Sequence, residues 1–207
     1  MKKIIAIGGN VIKTALPELK EVIEKDKIEI LIHNGGSLFH DFQLAIDPVL
    51  KERNIHSYPL EDLRKDFECN REASYLVWDW IEGKNPPENS ITKLCQNKNI
   101  PVLIFTALGC DYWHFFNDDW NLFAKKTYID FWTLCSRMKA PFHYVVLGSA
   151  VIHPEVFTKA ISFINNRDFI ADVVDFLDMY RPRTRVSIFG NYYHMSTKEY
   201  LINMIKE

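Results

Sequence analysis

Two short apolar runs, each closed by a glycine pair and followed at once by a helical pattern, constrain this chain more than any other feature. Residues 4–7 (Ile-Ile-Ala-Ile) are continuously apolar and mostly β-branched, and they stop at Gly8-Gly9. Such a run is what a strand buried on both faces of a parallel sheet requires. From Asn10 to Glu24 the period changes. Ile12, Ala15, Leu16, Leu19, Val22 and Ile23 recur at helical spacing, with Lys13, Glu18, Lys20 and Glu21 between them. Pro17 falls near the start of this predicted helix, where a missing N–H matters least. The cycle then repeats: Ile28 to Ile32 reads as a strand, His33-Asn34-Gly35-Gly36 as its turn, and Ser37 to Ala45 as a helix ended by Asp47-Pro48. Two βα units in tandem predict an α/β fold, a doubly wound parallel sheet with right-handed crossovers.

The remainder continues the pattern less regularly. Residues from Leu50 to Asn99 read as mostly helical, with an apolar-rich stretch from Arg71 to Ile81 and a short helix to Gln96 capped by Ser90. Strands are expected at Pro101 to Ala107, Tyr144 to Leu147, Phe169 to Val174 and Arg185 to Phe189. Helices are expected at Leu122 to Met138, Pro154 to Asn165 and Ser196 to Ile205. No linker, repeat or low-complexity tract interrupts the 207 residues, which predicts one domain over 1–207.

Composition excludes several classes of function. With 25 basic and 27 acidic side chains the net charge is -2, leaving no electrostatic footprint for nucleic acid or an anionic membrane. The four cysteines, Cys69, Cys95, Cys110 and Cys135, form no C-x-x-C pair, so reduced thiols in a cytoplasmic protein are expected. The apolar run at the start breaks at Gly8, too early for a signal peptide, and no run is long enough to span a membrane.

In open parallel sheets ligands bind beyond the carboxyl ends of the strands, where strand order reverses. The residues to watch therefore follow each strand: Gly8, Gly9, Asn10 and Thr14; His33 to Ser37 with His40 and Asp41; Ala107 to His114; Gly148, Ser149 and His153. Glycine lets the backbone approach a ligand, and a following helix start presents free N–H groups. Neither G-x-G-x-x-G nor the P-loop pattern occurs. Four of the seven histidines, His33, His40, His114 and His153, lie at these strand ends and suit acid/base work. A metal site from His33, His40, Asp111 and His114 lacks a recognised ligand spacing, and no metal is expected. For His56, His143 and His194 the expectation is surface or satisfied core. Tyr112, Trp113, Phe115, Phe116 and Trp120 interleave with acidic residues, either as core or as an apolar wall for a cationic or planar ligand.

Several segments in order resemble the deoxyhypusine synthase family and its shorter bacterial relatives. Residues 4–23 (IIAIGGNVIKTALPELKEVI) are similar to the family's first strand, turn and helix, and 29–42 (EILIHNGGSLFHDF) to the segment ending in Thr-Ala-Gly-Gly. Residues 100–116 resemble the stretch with a Gly-Asp and an aromatic pair, 145–161 the glycine-rich strand end followed by histidine, and 178–190 the Ala-Arg-Pro segment. The resemblance implies the family's NAD-binding fold, a polyamine or amine substrate, and a homo-oligomer, dimer or tetramer. It implies that Asn10, Thr14, Asn34, Gly35, Gly36 and Asp41 lie along the dinucleotide, and the strand-end turns add Gly9, Gly148 and Ser149 to the expected cofactor contacts. Asp111 and His153 would then lie at the substrate end, and with the strand-end His114 they are the expected catalytic residues. Two positions depart. His40 stands where the family has an acidic residue, and Ile188-Phe189-Gly190-Asn191 stands where it has Trp-Gly-Lys, without the imine-forming lysine. The expected function is an NAD-dependent enzyme acting on an amine without an enzyme imine. A non-catalytic metabolite binder and a hydrolase or transferase in the same crevice remain the alternatives.

Overall fold

The computed structural model describes residues 3–49, 60–105, 113, 116–117, 119–149, 152–178, 180 and 190–207, with the backbone alone for 60–67. The elements run β1 (Lys3–Ile7), α1 (Gly9–Thr14), α2 (Leu16–Glu24), β2 (Ile28–His33), α3 (Gly35–Ile46) and α4 (Leu60–Ile81). They continue with α5 (Ile91–Asn97), β3 (Val102–Ile104), α6 (Trp120–Arg137), β4 (Phe142–Leu147), α7 (Ile152–Ile164), β5 (Phe169–Asp175), β6 (Asn191–His194) and α8 (Thr197–Lys206).

Among the described residues six strands form one parallel sheet, in the order β3-β2-β1-β4-β5-β6. This is the doubly wound α/β sheet expected from the tandem units. The order reverses between β1 and β4, whose registers run from Lys3–His143 to Ile7–Leu147. Side-chain alternation along β1 divides the core into two layers. Ile5 and Ile7 pack with Leu19, Val22, Ile23 and Leu201 on one face of the sheet. Ile4 and Ala6 pack with Leu134, Phe157 and Ala160 on the other. A third, aromatic cluster lies between α3 and α4, where Phe39, Phe42, Val77, Trp78 and Trp113 meet.

The helix predicted from Asn10 to Glu24 is two helices. Ala15 leaves helical geometry at φ -138°, ψ 24°, and Pro17 opens the first turn of α2. Proline has no N–H to continue the α1 ladder, and its ring crowds the preceding turn. Ser90 caps α5 as expected, accepting the Lys93 N–H at 3.0 Å. Ser196 caps α8 in the same way. The apolar stretch from Arg71 to Ile81 is the second half of the much longer α4. The strand expected at Arg185 to Phe189 lies outside the described residues; β6 begins just after it.

Among the described residues β3 is an edge strand paired with β2, and its outward N–H at Ile104 donates to the Asp130 carboxylate of α6 at 2.8 Å. Lys126, one helical turn earlier, holds the same carboxylate at 2.6 Å and sits 4.7 Å above the Trp80 ring. A buried acid thus closes the edge that another strand would otherwise find open.

Candidate functional site at the strand-order reversal

At the carboxyl ends of β1 and β4 the two glycine loops are welded together. The Gly8 N–H donates to Leu147 O at 2.9 Å, and the Gly148 N–H donates to Val174 O at 2.9 Å. A Cβ placed on Gly8 would lie 1.9 Å from Gly148 O, so only glycine allows this approach. Gly148 is glycine for a different reason: its φ of +56° is left-handed. Gly9 faces the imidazole of His40, whose Cδ2 would be 3.0 Å from an added Cβ.

The two helix starts above the crevice differ. At α1 the N-cap is Gly8, and no side chain caps it. The Asn10 side chain is half-buried and makes no hydrogen bond among the described residues, while Thr14 donates back to Asn10 O at 2.8 Å. At α3 the chain has capped itself. Asn34 Oδ1 accepts the Ser37 N–H at 2.7 Å and Ser37 Oγ accepts the Asn34 N–H at 3.0 Å, a reciprocal box. Gly35 is buried in this first turn and Gly36 is half-buried beside it.

The Asp41 carboxylate is taken up by the start of α5. Asp41 is buried, and its carboxylate accepts the N–H groups of Ile91 at 2.8 Å and Thr92 at 3.0 Å and the Thr92 hydroxyl at 2.7 Å. Those contacts hold the first turn of α5. Burial pushes the Asp41 pKa up to about 6, against the pull of these donors. His33 stands on the same chain of contacts, with Nδ1 3.0 Å from Ser37 Oγ and Nε2 3.4 Å from Thr92 Oγ1. The Thr92 hydroxyl donates to Asp41 and the Ser37 hydroxyl to Asn34 O at 3.1 Å, so each hydroxyl oxygen is left to accept from the imidazole nitrogen that faces it. Nothing in the sequence marks Thr92 or Ser37 as partners of these residues, because Thr92 is on a separate helix.

His153 is fully buried in the first turn of α7. Its Nε2–H donates to Ile7 O at 3.0 Å, which ties α7 to the last residue of β1 and orients Gly8. The other ring nitrogen, Nδ1, is buried and has no hydrogen-bond partner among the described residues. Ser149, also buried, completes this end of the crevice. Asp111 and His114 lie outside the described residues, so their expected catalytic place is neither met nor missed. Trp113 is core: it is 1% exposed and packs edge-on against Trp78 at 5.5 Å. The wall reading of the aromatic run therefore loses its central ring, because α4 and α6 close over it. Among the described residues, no three His, Cys, Asp or Glu side chains converge to hold a metal ion. His143 is satisfied by Asp172 at 2.8 Å, and His194 by Phe176 O at 2.9 Å.

Two buried imidazoles, His33 and His153, and the half-buried His40 give this site a definite pH response. Burial lowers His33 to about 3, aided by His153; it lowers His153 to about 4; and burial with nearby Lys13 lowers His40 to about 4. In the unfolded chain all three would take protons near the ordinary histidine value of about 6.5. Between those limits the unfolded state binds more protons, so stability falls as pH falls from about 6.5 toward 4. Asp41, raised to about 6, acts in the opposite sense, because below that pH the folded state gains its proton first. Three histidines outweigh one aspartate. The expected result is a melting temperature that drops between pH 6.5 and 4.5, with a shallower slope in His153→Gln. A flat profile over that range would show the histidines to be accessible in the fold.

A parallel sheet in this order, with glycine loops meeting at its reversal, defines the doubly wound class from which dinucleotide-binding proteins are built. No protein-family profile matches this chain, and no curated protein matches it. Solved structures do. A putative LOR/SDH protein from Methanococcus maripaludis S2 superposes with a TM-score of 0.66 at 16% identity, covering 99% of this chain and 60% of that one. The ternary complex of AgrE with ornithine and NAD+ gives 0.67 at 12%, covering 99% and 29%. A putative deoxyhypusine synthase from Entamoeba histolytica gives 0.56 at 11%, covering 99% and 72%. The chain has the fold these proteins share, and it spans 29% of the AgrE chain and 60% of the archaeal one. No helix among the described residues is long and apolar enough to cross a membrane.

Proposed function

We propose that this chain is a single domain that seats NAD across the reversal between β1 and β4 and acts on an amine. The observation that carries the reading is the Gly8–Gly148 contact at that reversal, which brings two side-chain-free loops under one crevice. The residues fit a dinucleotide: Gly9, Asn10, Gly35, Gly36, Gly148 and Ser149 line the loops, and the α1 start keeps its N–H groups free of any side-chain cap. Bound there, NAD would supply a hydride acceptor for the carbon bearing the amine. The chain's own part is to orient and to hold protons. His153, neutral and hydrogen-bonded to Ile7 O, positions the loop; Asp111 and His114 are the proposed ammonium anchor and proton acceptor. Thr14, Asn34 and Asp41 fit less well as cofactor contacts, since their side chains already serve α1, α3 and α5. The neighbour solved with both NAD+ and ornithine, an amine, supports the pairing of cofactor and substrate class.

A second reading, a binder without turnover, is favoured by Asn191. It stands where the resembling family has its lysine, and it lies at the amino end of β6, donating to Asp172 at 3.0 Å. The register sets Asn191 beside Asp172, level with Val145 and Ile5 midway along the sheet and short of the carboxyl-end crevice. Asparagine carries no amine, so this position cannot form an enzyme imine.

Thermal shift separates the outcomes. At a hundredfold excess over Kd, NAD should stabilise the fold by about 2.7 kcal/mol, or roughly 5–10 °C for a domain of this size. Asn10→Asp, which sets a negative charge under the phosphates, should abolish the shift while leaving the unliganded melting temperature near that of the parent. No shift with either NAD or NADP would sink the proposal, and a shift without turnover across an amine panel would select the second reading.

A further inference from the structure

Toward the end of the sheet where β1 and β4 begin, α8 leaves a cavity of about 690 Å³, lined among others by Lys3, His143, Asp172, Tyr193 and Tyr200. That volume lies within the roughly 300–1,000 Å³ usual for small-molecule sites. Lys3 and His143 are register partners on neighbouring strands, so their side chains leave the same face of the sheet. Asp172 is the hub of the cavity and is 4% exposed. One of its oxygens accepts the Asn191 amide at 3.0 Å. The other accepts the Tyr200 hydroxyl at 2.6 Å and His143 Nε2–H at 2.8 Å. Burial pulls the Asp172 pKa up, but the three donors outweigh it and hold the carboxyl below its usual value. An ionised carboxylate only accepts, so in the neutral imidazole Nε2 carries the proton and Nδ1 keeps its lone pair. Nδ1 makes no hydrogen bond among the described residues. Asn191 and Tyr200 already tie β6 and α8 to β5 through this carboxylate. The imidazole ties nothing further, because β4 and β5 are paired from Phe142 to Leu147.

We infer that this cavity is a second, hydrolytic site in which His143 Nδ1 is the general base, Asp172 its positioning residue and a small carboxylic ester the substrate. A water at Nδ1 gives its proton to the imidazole as its oxygen attacks the ester carbonyl carbon, and the carbonyl π pair moves onto oxygen. Collapse of this tetrahedral oxyanion re-forms the carbonyl and breaks the bond to the alcohol oxygen. The imidazolium returns its proton to that oxygen, so ester and water leave as acid and alcohol. Between the two steps Asp172 stabilises the imidazolium through Nε2–H. Lys3 is the cation beside the oxyanion. Its ammonium has three donors, and Glu207 at the rim takes one at 2.9 Å. The Tyr193 hydroxyl, without a hydrogen bond among the described residues, is a second donor. Asp172 and Glu207 face the cavity against Lys3, which favours a neutral substrate over an anion. Ile170 and Met204 supply apolar wall for its alkyl parts. The site begins four residues before Ile7, roughly 13 Å along β1 from the Gly8–Gly148 crevice, so it stands or falls independently of NAD binding.

Hydrolysis of p-nitrophenyl acetate by the 207-residue chain, followed as release of p-nitrophenolate, tests the assignment. The parent should exceed the rate in buffer, and His143→Gln should lose about a hundredfold or more in kcat/KM, the scale of general-base catalysis. Far-ultraviolet circular dichroism unchanged from the parent shows that the variant is folded. Asp172→Asn, whose amide NH2 can donate to Nε2 and leave the proton on Nδ1, should lower kcat roughly tenfold or more with KM unchanged. His194→Gln should match the parent, because that ring is bonded to Phe176 O outside the cavity. Should either cavity variant fail to fold, the parent decides alone: its rate should fall in D2O, since a proton is in flight as water attacks. A parent no faster than buffer would overturn the proposal. A rate indifferent to D2O, or a folded His143→Gln as active as the parent, would overturn it too.

Discussion

Gly8→Ala should cost the fold about 3 kcal/mol or more and lower the melting temperature by roughly 6–12 °C. The reason is steric and local. Gly8 has φ -92°, which any residue tolerates, so backbone conformation is not at issue. The new methyl would stand 1.9 Å from Gly148 O and 2.8 Å from its carbonyl carbon. Both are backbone atoms held by the β4–β5 ladder, so neither can swing aside as a side-chain tip would. Relief requires parting the ends of β1 and β4, which also breaks the Gly8 N–H bond to Leu147 O. Gly148→Ala provides the control. There the cost comes mainly from a left-handed φ, about 1–2 kcal/mol, and the nearest obstacle is the movable Val11 Cγ2 at 3.3 Å. Urea denaturation of both variants checks the ranking. Equal losses would mean that the loops at the reversal are not in backbone contact.

The second large effect belongs to Asp41→Ala, expected to destabilise by about 3 kcal/mol. Removing the carboxylate leaves the Ile91 and Thr92 N–H groups and the Thr92 hydroxyl buried without an acceptor, each worth roughly 1–3 kcal/mol. Relief of the buried charge offsets part of that sum. Asp41→Asn keeps one acceptor oxygen and should lose less. The measurement is hydrogen exchange at the α5 amides together with urea denaturation. If Asp41→Ala left the exchange of Ile91 and Thr92 unchanged, the carboxylate would not be the anchor of α5. Either variant also reports on the site, since a carboxylate that contacts a dinucleotide would change ligand affinity more than stability.

The sheet was legible because its strands announce themselves in a local way. Ile4 to Ile7, Ile28 to Ile32 and Tyr144 to Leu147 are short continuous apolar runs closed by glycine or a turn, and that pattern has few other uses. The same reading could not see the break at Ala15, since one proline fits the start of a single helix as well as the start of a second. Long-range partners were less legible still. Asp41 looks like a residue beside a glycine turn, yet its contacts are 50 and 51 positions away. His153 reads as a strand-end base, but its hydrogen bond is to a carbonyl 146 positions earlier. Residue type and spacing say which groups can ionise; burial decides whether they do. Trp113 makes the same point for aromatics, because a ring in a strand-end run looks identical whether it lines a wall or is sealed under Trp78.

The acid that closes β3 bears on how this chain fails as well as how it folds. Asp130 satisfies an outward N–H that otherwise offers a template to any extended segment nearby. Burial raises its pKa against the opposing pull of Lys126, so protonation here begins earlier than at an open carboxylate. A neutral Asp130 grips Lys126 less firmly and accepts the Ile104 N–H more weakly, so acid loosens the guard on this strand. An edge unmasked in this way invites chains to add to one another as strands, so one carboxylate links the acidity of the medium to self-association of the sheet.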